Sequence, residues 1–185
     1  MDNFSCLNSK EEVLTKALQL VTSAKDQINA IGQDMSWLKN EPFAKAISTR
    51  AINNHELKIR FIITDIEFFK QVGTDTAKAH AEKIGALIRY KPFGTARYIS
   101  VDEGSKFIVA FGSSYEPEMK NQTAFGLYIE NPNVGRWLLQ RFHYHFRKSV
   151  SAERAEKFKW IPFILWRILF WLFNIPRFFR NNAAQ

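Results

Sequence analysis

Apolar residues recur along this chain with two periods, and the switches between them divide it into elements. Val13, Leu14, Ala17, Leu18, Val21, Ala24 and Ile28 follow at three- and four-residue spacing, which puts them on one face of a helix. Ser9-x-x-Glu12 opens that helix as a capping box, in which a hydroxyl and a carboxylate each satisfy an orphan backbone N–H. Residues 27–31, followed by Gly32, read as the end of this helix or as a short strand, and the strand is preferred. Asn40-Glu41-Pro42 starts a second helix, with Asn as cap, Pro in the first turn, and Phe43, Ala46, Ile47 and Ala51 inward. Residues 57–64 (LKIRFIIT) alternate and then become continuously apolar, the pattern of a central strand. This order predicts a parallel strand pair in an α/β fold, a layered mixed sheet flanked by helices.

Further on, residues 74–87 predict a helix and 87–90 a strand. Residues 97–102 and 106–112 predict two strands joined at Glu103-Gly104-Ser105, a loop of hairpin length. Residues 125–130 form the last predicted strand. Asn131-Pro132 then opens a helix with Val134, Trp137, Leu138, Phe142 and Phe146 at core spacing. A continuation of that helix through residues 151–157 stays open.

The C-terminal run KFKWIPFILWRILFWLFNIPRFFR, residues 157–180, follows neither period. It holds nine aromatic residues and three of the five tryptophans. Pro162 suits a first helical turn and Pro176 cannot continue a helix, so the predicted helix covers about residues 162–174. Only Arg167 interrupts its apolar surface, and a helix apolar all round must be buried, in protein or in lipid. At ~1.5 Å per residue it reaches roughly 20 Å, short of the ~30 Å hydrocarbon core of a bilayer. Shallow insertion fits better, with tryptophans at headgroup depth and Arg167 reaching water. A partner interface and the domain's own core are the other two readings.

Charge sharpens this choice. The chain carries a net charge of +8, and residues 1–135 hold equal numbers of acidic and basic side chains. The whole excess therefore lies in residues 136–185, beside the aromatic run. A basic segment next to an apolar anchor is drawn to anionic leaflets by ~1 kcal/mol per Lys or Arg near the surface. The single cysteine, Cys6, excludes an internal disulfide and a multi-cysteine zinc site. The polar N-terminus has none of the features of a signal peptide. His143 and His145 on a helix point ~200° apart and cannot share a metal. The run RFHYHFRK, residues 141–148, interleaves bases with aromatics, as nucleic-acid and lipid surfaces do, although its helical spacing also suits a buried stripe with a basic outer face. Asp65, at the end of a predicted central strand, is a further candidate at a position where ligands bind in α/β sheets.

A strand ending in Asp102, a second ending in Gly112-Ser113-Ser114, and the stretch FGLYIENPNVGRWLLQRF together resemble one half of the phospholipase D-like fold. In that superfamily one strand carries HxKxxxxD, the next ends in Gly-Ser, and a later strand passes through Asn/Asp-Pro into a helix. The first half is similar through AKDQINAIGQD and LKIRFII, so the resemblance covers about residues 11–148. It implies a histidine nucleophile on phosphorus, a phosphate-binding lysine, and two such motifs meeting from two halves or two subunits. Here Thr95 stands at the histidine position, Arg97 at the lysine position, and Tyr115 where the family has Asn after Gly-Ser. A threonine hydroxyl with no adjacent base cannot replace imidazole. The resemblance thus implies a degenerate half that has lost the reaction, with Arg97, Asp102 and Ser113 left to hold an anion.

The resulting expectation is a non-catalytic sensor or adaptor on the cytoplasmic face of a membrane. Residues 1–150 would form the phospholipase D-like domain and residues 151–185 a basic, aromatic helix. Lys159, Trp160, Phe163, Trp166, Arg167, Phe170, Trp171, Phe173, Arg177 and Phe178 would meet lipid. Expected partners are anionic lipids and a second copy or another protein, with neither cofactor nor metal. The rival expectations are a dimeric phosphodiesterase or phospholipase with a divergent site near Thr95, Arg97 and Asp102, and a nucleic-acid-binding regulatory module.

Overall fold

Three capping side chains set where helices begin in the computed structural model, which describes residues 3–32, 38, 40–64, 81–92, 97–104, 106–111, 125–157 and 165. Ser9 accepts from Glu12 N at 3.1 Å, and the Glu12 carboxylate accepts from Asn8 N at 2.7 Å, opening α1, Lys10–Ser23. The Asn40 side chain accepts from Phe43 N and starts α2, Glu41–Asn53. Asn131 accepts from Asn133 N and Val134 N, both at 2.9 Å, and starts α3, Pro132–Lys148. Pro42 and Pro132 sit in first turns, where no N–H is needed.

Eight strands form one sheet: β1 (Asn3–Leu7), β2 (Gln27–Gly32), β3 (Lys58–Ile63), β4 (Leu87–Tyr90), β5 (Arg97–Val101), β6 (Lys106–Phe111), β7 (Phe125–Glu130) and β8 (Val150–Ser151). Their order is β1-β7-β6-β5-β2-β3-β4-β8. The β2–β3 and β3–β4 pairs are parallel, and all other neighbours are antiparallel. The parallel pair expected from the sequence is present, with Ile28 opposite Ile59 and Ala30 opposite Phe61. β1 was not expected. The polar N-terminal stretch extends along β7, with Cys6 opposite Leu127. As an edge strand it buries Leu7 and leaves Phe4 and Cys6 exposed, so no long apolar run announced it.

α1 and α2 pack against each other and cover one face of the sheet. Ala17, Leu20, Val21, Phe43 and Ile47 meet Ile28, Ala30, Ile59, Phe61, Ile63, Ile99 and Ile108 there. α3 covers the opposite face, where Phe142 joins Ile62, Tyr98 and Phe107, with Leu138 and Phe146 at its margin. Two residues of the expected α3 stripe face outward: Trp137 is 58% exposed and Val134 39%. The reason is the approach of Gly104, in the β5–β6 turn, to Gly135 in the first turn of α3. That contact turns the glycine side of α3 inward and rotates Val134 and Trp137 to the surface.

α3 does not run on toward the C-terminus. It ends at Ser149, whose hydroxyl donates to Phe146 O at 2.6 Å, and the chain turns into β8 beside β4. A short helix, α4 (Ala152–Lys157), follows, with Ala155 fully buried in the main core. Val150, Ala152 and Ala155 thus pack with the main core. Among the described residues no helix is long and apolar enough to cross a membrane.

Gly104 has φ +79°, and a Cβ built there would lie 2.7 Å from Gly135 O and 3.2 Å from Leu139 Cβ. Gly104→Ala combines left-handed backbone strain with overpacking and is expected to cost about 2–4 kcal/mol. Urea unfolding followed by tryptophan fluorescence measures this. Gly85, also at positive φ but with nothing within 4 Å, serves as the strain-only comparison.

Candidate functional site

Asp102, the residue that matches the HxKxxxxD pattern, follows the last residue of β5 at φ +53°. Its Oδ1 accepts from Lys25 N at 2.8 Å, Asp26 N at 2.7 Å and Gln27 N at 3.3 Å. Its own N–H donates to Gln27 O at 2.8 Å. The carboxylate is therefore committed to the backbone that leads into β2. Arg97 is the first residue of β5 and pairs in register with Ala110. Five residues at ~3.3 Å each separate Arg97 from Asp102 by roughly 16 Å along the strand. The two residues do not converge on one anion. Ser113, Thr95 and Asp65 lie outside the described residues.

The membrane-facing set Lys159, Trp160, Phe163, Trp166, Arg167, Phe170, Trp171, Phe173, Arg177 and Phe178 also lies outside the described residues. Within that segment Leu165 is described, and it is half exposed.

A cationic group not singled out from the sequence gathers where α3 crosses β3 and β4. Arg89, on β4, donates to the carbonyl oxygens of Phe146 at 2.8 Å and Ser149 at 3.4 Å, so it caps the carbonyl end of α3. Its guanidinium also lies 4.9 Å from the Phe146 ring centroid, and that of Arg60 lies 5.9 Å away. Lys91, just past β4, contacts His145 Nδ1 through its ammonium group. Burial, then Arg141, brings the Lys91 pKa down to about 8. Burial, then Lys91 and Arg141, holds His145 below its ordinary value. His143 is lowered as well, by burial, then Arg60 and Arg147. The two histidines face different cationic neighbours, in keeping with their i, i+2 spacing on a helix. Among the described residues no group of three metal-ligating side chains occurs.

Beneath α3, Asn29 of β2 is fully buried between Arg60 of β3 and Ser100 of β5, by register. Both polar atoms of its side chain lack a hydrogen-bond partner among the described residues, at a cost of about 1–3 kcal/mol. Ser100 is bonded instead to the buried Tyr98 hydroxyl at 2.7 Å. Periodicity gave no sign of this polar position, because Asn29 sits in a run that reads as apolar on both sides.

Strand order, the Asp102 turn and the helix that follows Asn131-Pro132 define the class: a mixed-sheet α/β unit covered on both faces. No family model and no curated protein sequence matches this chain. Solved structures do. NucT from Helicobacter pylori superposes with a TM-score of 0.65 at 10% identity, over 82% of this chain and 99% of that one. Nuc from Salmonella typhimurium, a phospholipase D family member, gives 0.57 at 13% identity, over 82% and 98%. TrmBL2, an archaeal chromatin protein with a novel mode of DNA binding, gives 0.58 at 11% identity, over 80% of this chain. The matched region spans 54% of TrmBL2. The fold of this chain is phospholipase D-like.

Two measurements check the site. Asp102→Ala would strand three N–H donors and is expected to lower stability by about 2–4 kcal/mol, with Asp102→Asn losing less because an amide oxygen still accepts. An unchanged urea midpoint in the alanine variant would show that the turn holds without the carboxylate. His143 and His145 both have folded pKa values below 6.5, so the unfolded chain binds more protons as pH falls through that value. Stability should therefore decline from pH 7.5 toward 5.5, and the slope should flatten in the His143→Gln, His145→Gln double variant.

Proposed function

We propose that this chain is a non-catalytic sensor or adaptor held at the cytoplasmic face of an anionic membrane, built on a phospholipase D-like half. The observation that carries this reading is the outer face of α3. Arg136, Arg141 and Arg147 are exposed there together with Trp137 and Tyr144, and the Arg141 guanidinium lies 5.9 Å from the Trp137 ring centroid. No acidic residue occurs between Glu130 and Glu153. Tryptophan, tyrosine and arginine side by side suit the headgroup layer, where rings meet acyl chains and guanidinium meets phosphate. The same stretch of sequence continues into the basic, aromatic residues 157–180, so one contiguous part of the chain carries both charge and apolar anchor.

The non-catalytic part of the reading rests on two residues. Thr95 occupies the position of the family's nucleophile, and Asp102 is taken up by three backbone N–H groups. Neither supplies an activated nucleophile or a base.

A second reading has its own support. Bases interleaved with exposed aromatics also suit nucleic acid, and the fold likeness extends to a DNA-binding chromatin protein. Salt separates the two, because phosphate-backbone binding falls steeply with ionic strength whereas apolar insertion does not.

The full chain should float with vesicles containing phosphatidylglycerol and much less with pure phosphatidylcholine. Trp166→Asp combined with Trp171→Asp should reduce recovery about tenfold, since buried aromatic area is replaced by charges that membranes repel. Equal flotation of wild type and double variant would end the membrane reading.

A further inference from the structure

The end of β4 carries a group of donors that the fold does not consume. Lys91 N donates to Ile63 O at 2.9 Å, which fixes the backbone beside the carboxyl end of β3. The Lys91 ammonium reaches His145 Nδ1. With Lys91 in its ammonium form, Nδ1 is the acceptor of this contact and the proton of a neutral imidazole belongs on Nε2, which can donate. Arg141 lies four residues before His145, one turn away on the same side of α3. All three side chains are at least partly open to solvent. No described carboxylate pairs with any of them; the described ion pair joins Lys106 and Glu130, on β6 and β7. Arg60 and Arg89, by contrast, are occupied by Gln27 and by the end of α3.

We propose that Lys91, His145 and Arg141 form a binding site for a phosphate group, offered by an anionic lipid headgroup or by free phosphate. Three neighbouring donors with no counter-ion among the described residues suit the oxygens of a tetrahedral anion. The lowered proton affinities of Lys91 and His145 follow from burial and from Arg141, and a bound anion would offset that repulsion. The site shares Arg141 and the lipid source with the membrane reading, while Lys91 and His145 belong to it alone.

The test uses the full chain in detergent-free buffer, with the imidazole signals followed by NMR as pH is varied. Millimolar inorganic phosphate should raise the His145 pKa by about one unit and leave His143 less affected. Lys91→Met should weaken phosphate binding at least about tenfold, as loss of a charge-assisted partner does, while Lys45→Gln, exposed on α2 across the sheet, should not. If His145 in the wild-type protein does not respond to phosphate or to phosphatidylglycerol vesicles, the site does not exist, whatever becomes of the variants. A response to free phosphate alone assigns a soluble ligand, and a response to vesicles alone assigns a headgroup; either supports the site. A response confined to duplex DNA overturns it in favour of a polyanion surface. Flotation that survives loss of the His145 response would leave membrane attachment standing without this site.

Discussion

The structure depends on the junction where β2 enters the sheet. A chain leaving α1 must give up helical hydrogen bonds several residues before strand partners are available, and buried backbone polar groups must be paired. Three residues from two segments distant in sequence supply the partners. Asp102 accepts from the N–H groups of Lys25, Asp26 and Gln27, the Asn54 amide donates to Lys25 O, and Arg50 donates to Ala24 O. β2 is the strand on which the parallel and antiparallel parts of the sheet meet. Pinning its first residues therefore fixes both halves at once. The Asp102 carboxylate thus builds the sheet, and that work does not depend on any reaction.

The two faces of the sheet are unequal, and the candidate chemistry follows from that inequality. Among the described residues α1 and α2 lie over one face, with a continuous apolar core beneath them. On the other face α3 buries little besides Phe142 and Gly135 completely. Sheet positions beyond its reach are long cations, Arg60, Arg89 and Lys91, whose stems pack while their heads border the helix. Phe146 serves as the platform for two of these guanidinium groups. The result is a helix that is held by aromatic packing and surrounded by positive charge.

Much of the architecture was legible from periodicity and caps. Ser9, Asn40 and Asn131 are local signals that tertiary contacts do not override, and the parallel pair follows from the helix placed between two apolar strands. What escaped notice was set by contacts remote in sequence. β1 is a five-residue edge strand that exists because β7 offers it a ladder. Trp137 and Val134 have core spacing, yet the approach of Gly104 to Gly135 decides which side of α3 turns inward. The Lys91–His145 contact joins residues 54 apart, and no motif reports such a meeting. The resemblance places Arg97 and Asp102 at one anion, but a strand spaces residues along its length instead of gathering them.

The pairing of β1 with β7 has a kinetic consequence. β1 finds its neighbour more than a hundred residues later in the chain, after every other described strand except β8. Closing so large a loop is entropically slow, so β1 docks late, onto a sheet already assembled around β2. Until then β7 presents an open ladder, and a nascent chain of this protein is most exposed to mispairing with its neighbours during that interval.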